Sequence, residues 1–167
     1  MQDIALRLRM IWPFFTLLAS GGMLAAAHAF ERFGGLAPCP LCLDQREWHW
    51  AALAASATGI ALVRLFSARA WIAAALLGVV YAGSAWSGAH HVAVEQGWIV
   101  AQCVADLDLN NIQPLDFEGS FEAPSCDTPA WTLFGISMAG YNALISAALM
   151  LVSFAIAFAP ARKPAHG

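Results

Sequence analysis

Charge is what this sequence has least of. Only 11% of its 167 residues are Asp, Glu, Lys or Arg, against 60% hydrophobic residues and a mean hydropathy of +0.63. That balance excludes an ordinary soluble domain. Three long stretches, 11–30, 70–89 and 131–158, contain no charged residue at all, and a fourth, 48–66, contains only Arg64 near its end. A long basic side chain in that place can reach the interface. Each stretch can cross ~30 Å of hydrocarbon at ~1.5 Å per residue. There is no internal repeat, low-complexity tract or Gly-rich phosphate loop, and nothing points to a nucleic-acid partner. The expectation is an all-α membrane protein. It is a four-helix transmembrane bundle forming one domain over 1–167, with external loops 31–47 and 90–130.

Basic residues are also missing from one face. The segment 92–130 holds seven acids and no Lys or Arg. Arg7, Arg9, Arg64, Arg69, Arg162 and Lys163, six of the eight basic residues, flank the spans on the other side, while ten of the eleven acids fall on the acidic face. Because Lys and Arg near spans tend to remain in the cytoplasm, both termini are expected there and both loops outside. Trp12 and Trp71 would mark the inner interface, and Trp48, Trp50, Trp86, Trp98 and Trp131 the outer one. The stretch 7–29, ending in Ala-His-Ala, also resembles a secretory signal, but its apolar run is longer than the ~7–15 residues of a usual signal core. It is read as a retained first span. Small residues at Ala51, Ala55 and Gly59, and at Gly78 and Ala82, would let helices approach closely.

Cysteine is scarce and one-sided. Cys39, Cys42, Cys103 and Cys126 all fall on the face read as external, the oxidising side in a bacterial layout. Four cysteines allow three pairings. A Cys103–Cys126 bond would close a loop of ordinary size, a structural type of bond worth roughly 3 kcal/mol. The ring closed by Cys39 and Cys42 is too small for that purpose. Tight Cys-x-x-Cys rings suit bonds that are made and broken, since both thiols share one environment. Pro38 and Pro40 disfavour helix before Cys42, and Asp44, Gln45 and Glu47 read as first-turn residues of the second span. Cys42 is thus expected near a helix N-terminus, where partial positive charge stabilises a thiolate. Arg46, four residues on, adds a permanent cation on the same face, able to stabilise negative charge developing on a lipid-soluble electron acceptor.

Plainer readings stand beside these. The Cys-x-x-Cys pair could be half of a zinc site with His49, His90 or His91, but no second ligand pair completes one, and no metal is expected. Arg46 alone is usually an interfacial anchor. His90, His91 and Glu95 read by default as a solvated helix end, and the acidic stretch before Cys126 as a charged surface loop.

"CPLCLDQR" before a span, "GAHHVAVEQGW" followed shortly by a cysteine, and "CDTPAWTLFGISMAGYNALIS" opening the last span together resemble the DsbB family of membrane disulfide oxidases, most closely its shorter proteobacterial members. The resemblance covers nearly the whole chain. It implies a bacterial inner-membrane protein that reoxidises a periplasmic, thioredoxin-fold DsbA-like partner and passes two electrons to a quinone, ubiquinone being the expected one. Residue by residue, it implies that Cys103 is attacked by the partner and that Cys126 then engages Cys39. It implies further that Cys42 contacts the quinone, with Arg46 and His91 at the acceptor. Gln45 stands where other members carry an acid. The short acidic stretch between Cys103 and Cys126 does not favour the membrane-lying helix of longer members. The alternatives are a related oxidase with a dedicated partner, and a non-catalytic four-span scaffold with two structural disulfides. The Cys-x-x-Cys spacing and Arg46 weigh against the scaffold.

Overall fold

The computed structural model describes residues 2–100 and 125–160. Cys103, the acidic stretch around it, Arg162 and Lys163 lie outside the described residues. The described residues form four helices: α1 (Gln2–Gly34), α2 (Pro40–Leu65), α3 (Ala70–Glu95) and α4 (Met138–Phe158). A single 3-10 turn, Ser67–Arg69, joins α2 to α3, and a two-stranded hairpin, β1 (Thr132–Leu133) and β2 (Ile136–Ser137), precedes α4. The expected all-α bundle is therefore present. Among the described residues, three helical stretches, Ala5–Gly34, Ser67–Glu95 and Met138–Phe158, are long and apolar enough to cross a membrane.

α2 is less apolar for a visible reason. Gln45, His49, Ala52, Ala55, Ser56, Gly59 and Val63 are its buried residues, one helical face that carries polar groups into the bundle. The whole molecule is inverted in the same way. Thr16, Ser20, His49, Ser56, Ser84, Asn142, Ser146 and Ser153 are buried, whereas Leu18, Val79 and Leu151 are more than 60% exposed. Apolar side chains outside and hydrogen-bonded polar ones between helices is the pattern that lipid as solvent selects.

The element ends differ from the sequence expectation. α2 begins at Pro40, not near Trp48, because proline at the first helical position loses no hydrogen bond and is already set at a helical φ. Asp44, Gln45 and Glu47 consequently follow the first turn. α4 begins at Met138, not Trp131. Phe134 (φ 50°) and Gly135 (φ 78°) make a tight turn with positive φ at both central positions, which suits a two-residue hairpin, and Ser137 then caps α4 by accepting from the Gly140 N–H.

Close approaches fix the helix packing. A Cβ on Gly88 would lie 2.8 Å from the Ala143 nitrogen, so α3 and α4 meet backbone to backbone there. Gly59 and Gly78 are likewise crowded, against Pro13 with Ala73 and against Phe154. At the end of the bundle away from the cysteines, Arg9 donates to three carbonyls closing α4, those of Ile156 (3.0 Å), Ala157 (3.1 Å) and Ala159 (2.6 Å). These are acceptors that a helix C-terminus leaves unpaired. Arg64 sits over the Phe14 ring, 5.4 Å from its centroid.

Candidate functional site

The site is built at the N-terminus of α2. Cys39 is the N-cap, extended at φ −77° and ψ 165°, and its sulfur accepts the Cys42 N–H at 3.2 Å. One turn of helix then brings the two sulfurs to 2.7 Å as free thiols. Cys39 is buried and Cys42 half-buried. The structure also carries Cys126 to this place: it is 1% exposed, disulfide-bonded, and packed in one apolar cluster with Cys39 and Val94, against which Leu41 and Cys42 lie. Cys126 is thus enclosed, and the close packing of the cluster leaves its sulfur no open approach.

The two thiols are not equivalent. The Cys39 thiol donates toward Cys42, and that hydrogen bond, aided by the Arg46 cation and opposed by burial and by Glu95, lowers Cys42 from 9.0 to about 7. Cys39 is raised, first because it is the donor in that bond and second because it is desolvated. The N-cap contacts from the Cys42 and Leu41 backbone pull Cys39 the other way but do not prevail. Cys42 is the thiolate of the pair.

Arg46 lies on the Cys42 side of α2, and it is not a free cation: its Nη1 donates to Glu31 Oε2 of α1 at 2.6 Å. Glu31 also lies 3.6 Å from His28 Nδ1. The solvated-helix-end reading fails for His91 and Glu95, whose side chains are 6% and 5% exposed. It fails because Cys126 and Ser137 lie against them. Ser137 donates to Glu95 Oε2, and Cys126 packs beside Cys39. His91 Nε2 is 3.7 Å from the Cys39 sulfur and 3.9 Å from Glu95 Oε1. The donor atoms of Cys39, Cys42 and His91 all lie within 4.8 Å of one another, a set that could hold a thiophilic ion with the same atoms that would carry thiol chemistry. His90 instead lines a groove of about 560 Å³ between α2 and α3, with Leu41, Asp44, Glu47, Trp48 and Trp86.

Gln45 and Asn142 join the site unannounced. Gln45 Nε2 lies 2.7 Å from His91 Nδ1, Asn142 Nδ2 donates to Gln45 Oε1 at 2.8 Å, and Asn142 Oδ1 lies 2.7 Å from His49 Nε2. Sequence inspection passed over Asn142. An amide inside a charge-free span is itself a signal, because it is costly in lipid unless partnered.

Such an arrangement can exchange disulfides. It holds a low-pKa, half-buried thiolate, a buried second thiol, and a third cysteine in the same packed cluster. A family model described as disulfide bond formation protein DsbB matches residues 9–156. A protein named disulfide bond formation protein B, from Albidiferax ferrireducens, is 32% identical over 158 residues, covering 85% of this chain and 83% of its own. No solved structure matches the chain.

Proposed function

As a member of the DsbB family of disulfide bond formation proteins, this membrane protein, we propose, is a quinone-dependent thiol oxidase of the bacterial inner membrane. In this reading 1–167 acts as one domain, with both termini cytoplasmic and the cysteines periplasmic. A reduced, DsbA-like thioredoxin-fold protein is its dithiol substrate. The observation that carries the reading is the meeting of Cys39, Cys42 and Cys126 in one buried cluster at the N-terminus of α2.

Thiol exchange needs an attacking thiolate, an accessible sulfur and a stabilised leaving sulfur. The partner's thiolate attacks Cys103, forming a mixed disulfide and releasing Cys126. Cys126 already packs on Cys39, so its attack there requires little movement. The bond between Cys39 and Cys42 breaks, and the electron pair goes to the sulfur that best bears it, Cys42. A bound quinone would supply a two-electron acceptor. The residues present fit one: Cys42 is half-buried at the membrane boundary, and Arg46 offers guanidinium N–H groups beyond the one engaged by Glu31. His91, its Nε2 3.7 Å from the Cys39 sulfur, would complete the acceptor side.

The test is ubiquinone reduction by purified protein supplied with a reduced DsbA-type partner. Cys39→Ser and Cys42→Ser are each expected to abolish turnover while leaving the protein inserted. Normal turnover in either variant defeats the oxidase reading.

A further inference from the structure

The buried amides form a chain with a direction. Asn142 Oδ1 receives His49 Nε2 at 2.7 Å and Ser146 Oγ at 3.3 Å, which leaves Asn142 Nδ2 to donate to Gln45 Oε1. Gln45, its oxygen occupied, turns Nε2 to His91 Nδ1 at 2.7 Å. A nitrogen that accepts carries no proton, so neutral His91 bears its proton on Nε2, the atom 3.7 Å from the Cys39 sulfur and 3.9 Å from Glu95 Oε1, on a ring that also bonds the Cys126 backbone. The other end is closed by Ser20 Oγ, 3.4 Å from His49 Nδ1, where a hydroxyl can donate. All of these side chains are buried. Two amides in series allow only two self-consistent polarities, and reversing one requires reversing the other.

We propose that Gln45, Asn142 and His49 are positioning residues that hold His91 as its Nε2–H tautomer, so that His91 presents a fixed neutral donor to the Cys39 sulfur whenever that sulfur leaves. In that step a thiolate forms a new S–S bond with the sulfur paired to Cys39. The old S–S bond breaks, and its electron pair stays on Cys39 Sγ. No proton is transferred. The Nε2–H stabilises the new anion in a site that excludes water, as preorganised donors do for a developing charge. The role of the donor in turnover rests on the oxidase reading; the tautomer does not.

The chain's two internal joints give the experiment. The reduced protein, labelled with ¹⁵N in histidine and held in detergent micelles at neutral pH, is read by ¹⁵N–¹H correlation, with His91→Gln supplying the assignment. The expected result is a single His91 tautomer protonated on Nε2. Gln45→Met removes the donor to Nδ1 at similar volume, and Asn142→Leu removes the group that orients Gln45 without itself touching His91. Each is expected to give mixed His91 tautomers and to lower kcat for partner oxidation by about tenfold or more, with KM for the partner little changed, as for loss of a hydrogen bond to a charged group. The double variant should be no worse than the worse single one. Wild-type protein showing Nδ1–H overturns the proposal, as does an unaltered tautomer in Gln45→Met. A tautomer that scrambles while kcat holds overturns the donor role. Should Asn142→Leu fail to insert, Gln45→Met carries the test alone. Unmutated protein with the expected tautomer but no partner oxidation would defeat the oxidase reading instead.

Discussion

Two residues decide how reactive the Cys-x-x-Cys pair is. Cys42, lowered to about 7, is a thiolate above that pH and loses its charge as pH falls through it. Alkylation of reduced protein by iodoacetamide is therefore expected to rise with pH around 7 rather than around 9, and mass spectrometry should find the label on Cys42. Arg46→Met removes a cation that favours the thiolate, so the midpoint should move upward. If Arg46 also binds the acceptor, the apparent affinity for quinone should fall by an amount matching roughly 1.5–3 kcal/mol, with Lys restoring only part because it lacks the planar fork. Glu31→Gln acts in the opposite direction. It frees Arg46 from its ion pair, and the Cys42 midpoint should drop. Arg46 was legible in the sequence as a cation one turn after Cys42. Its commitment to Glu31 was not, because that partner lies fifteen residues earlier on another helix.

Helices were legible wherever charge was absent over some twenty residues, since only burial in lipid tolerates such runs. Their ends were not. Pro40 reads equally as a breaker and as a first helical residue, and only the Cys39 cap distinguishes the two. The interior polar chain was hidden for a different reason: Gln45, His49, His91 and Asn142 come from three helices, and no spacing in one dimension relates them. What brings them together is the contact at Gly88, where α4 approaches α3 closely enough for Asn142 to reach Gln45. Gly88→Ala places a methyl group against the Ala143 backbone, which cannot turn aside as a side chain can. A loss of about 1–3 kcal/mol is expected, seen as a lower unfolding midpoint in detergent. Gly22→Ala is the control. A methyl group there meets nothing within 4 Å, and it should be neutral or stabilising through helix propensity.

At the scale of the whole molecule, the enclosed sulfurs constrain the order of events. Because Cys126 is enclosed with Cys39, a soluble partner that lacks its second active-site cysteine should accumulate bound to Cys103. Peptide mapping checks this, and attachment to Cys126 or to the Cys-x-x-Cys pair would reverse the proposed sequence. Arg9 raises a matter of timing. The guanidinium belongs to α1, and its three acceptors lie some 150 residues later, at the end of α4. Until α4 is made the nascent chain thus carries an unmatched cation at the foot of α1, and the bundle is latched only when α4 is complete. A chain truncated ahead of Ile156 should therefore stay unlatched, with a lower unfolding midpoint in detergent than the full chain.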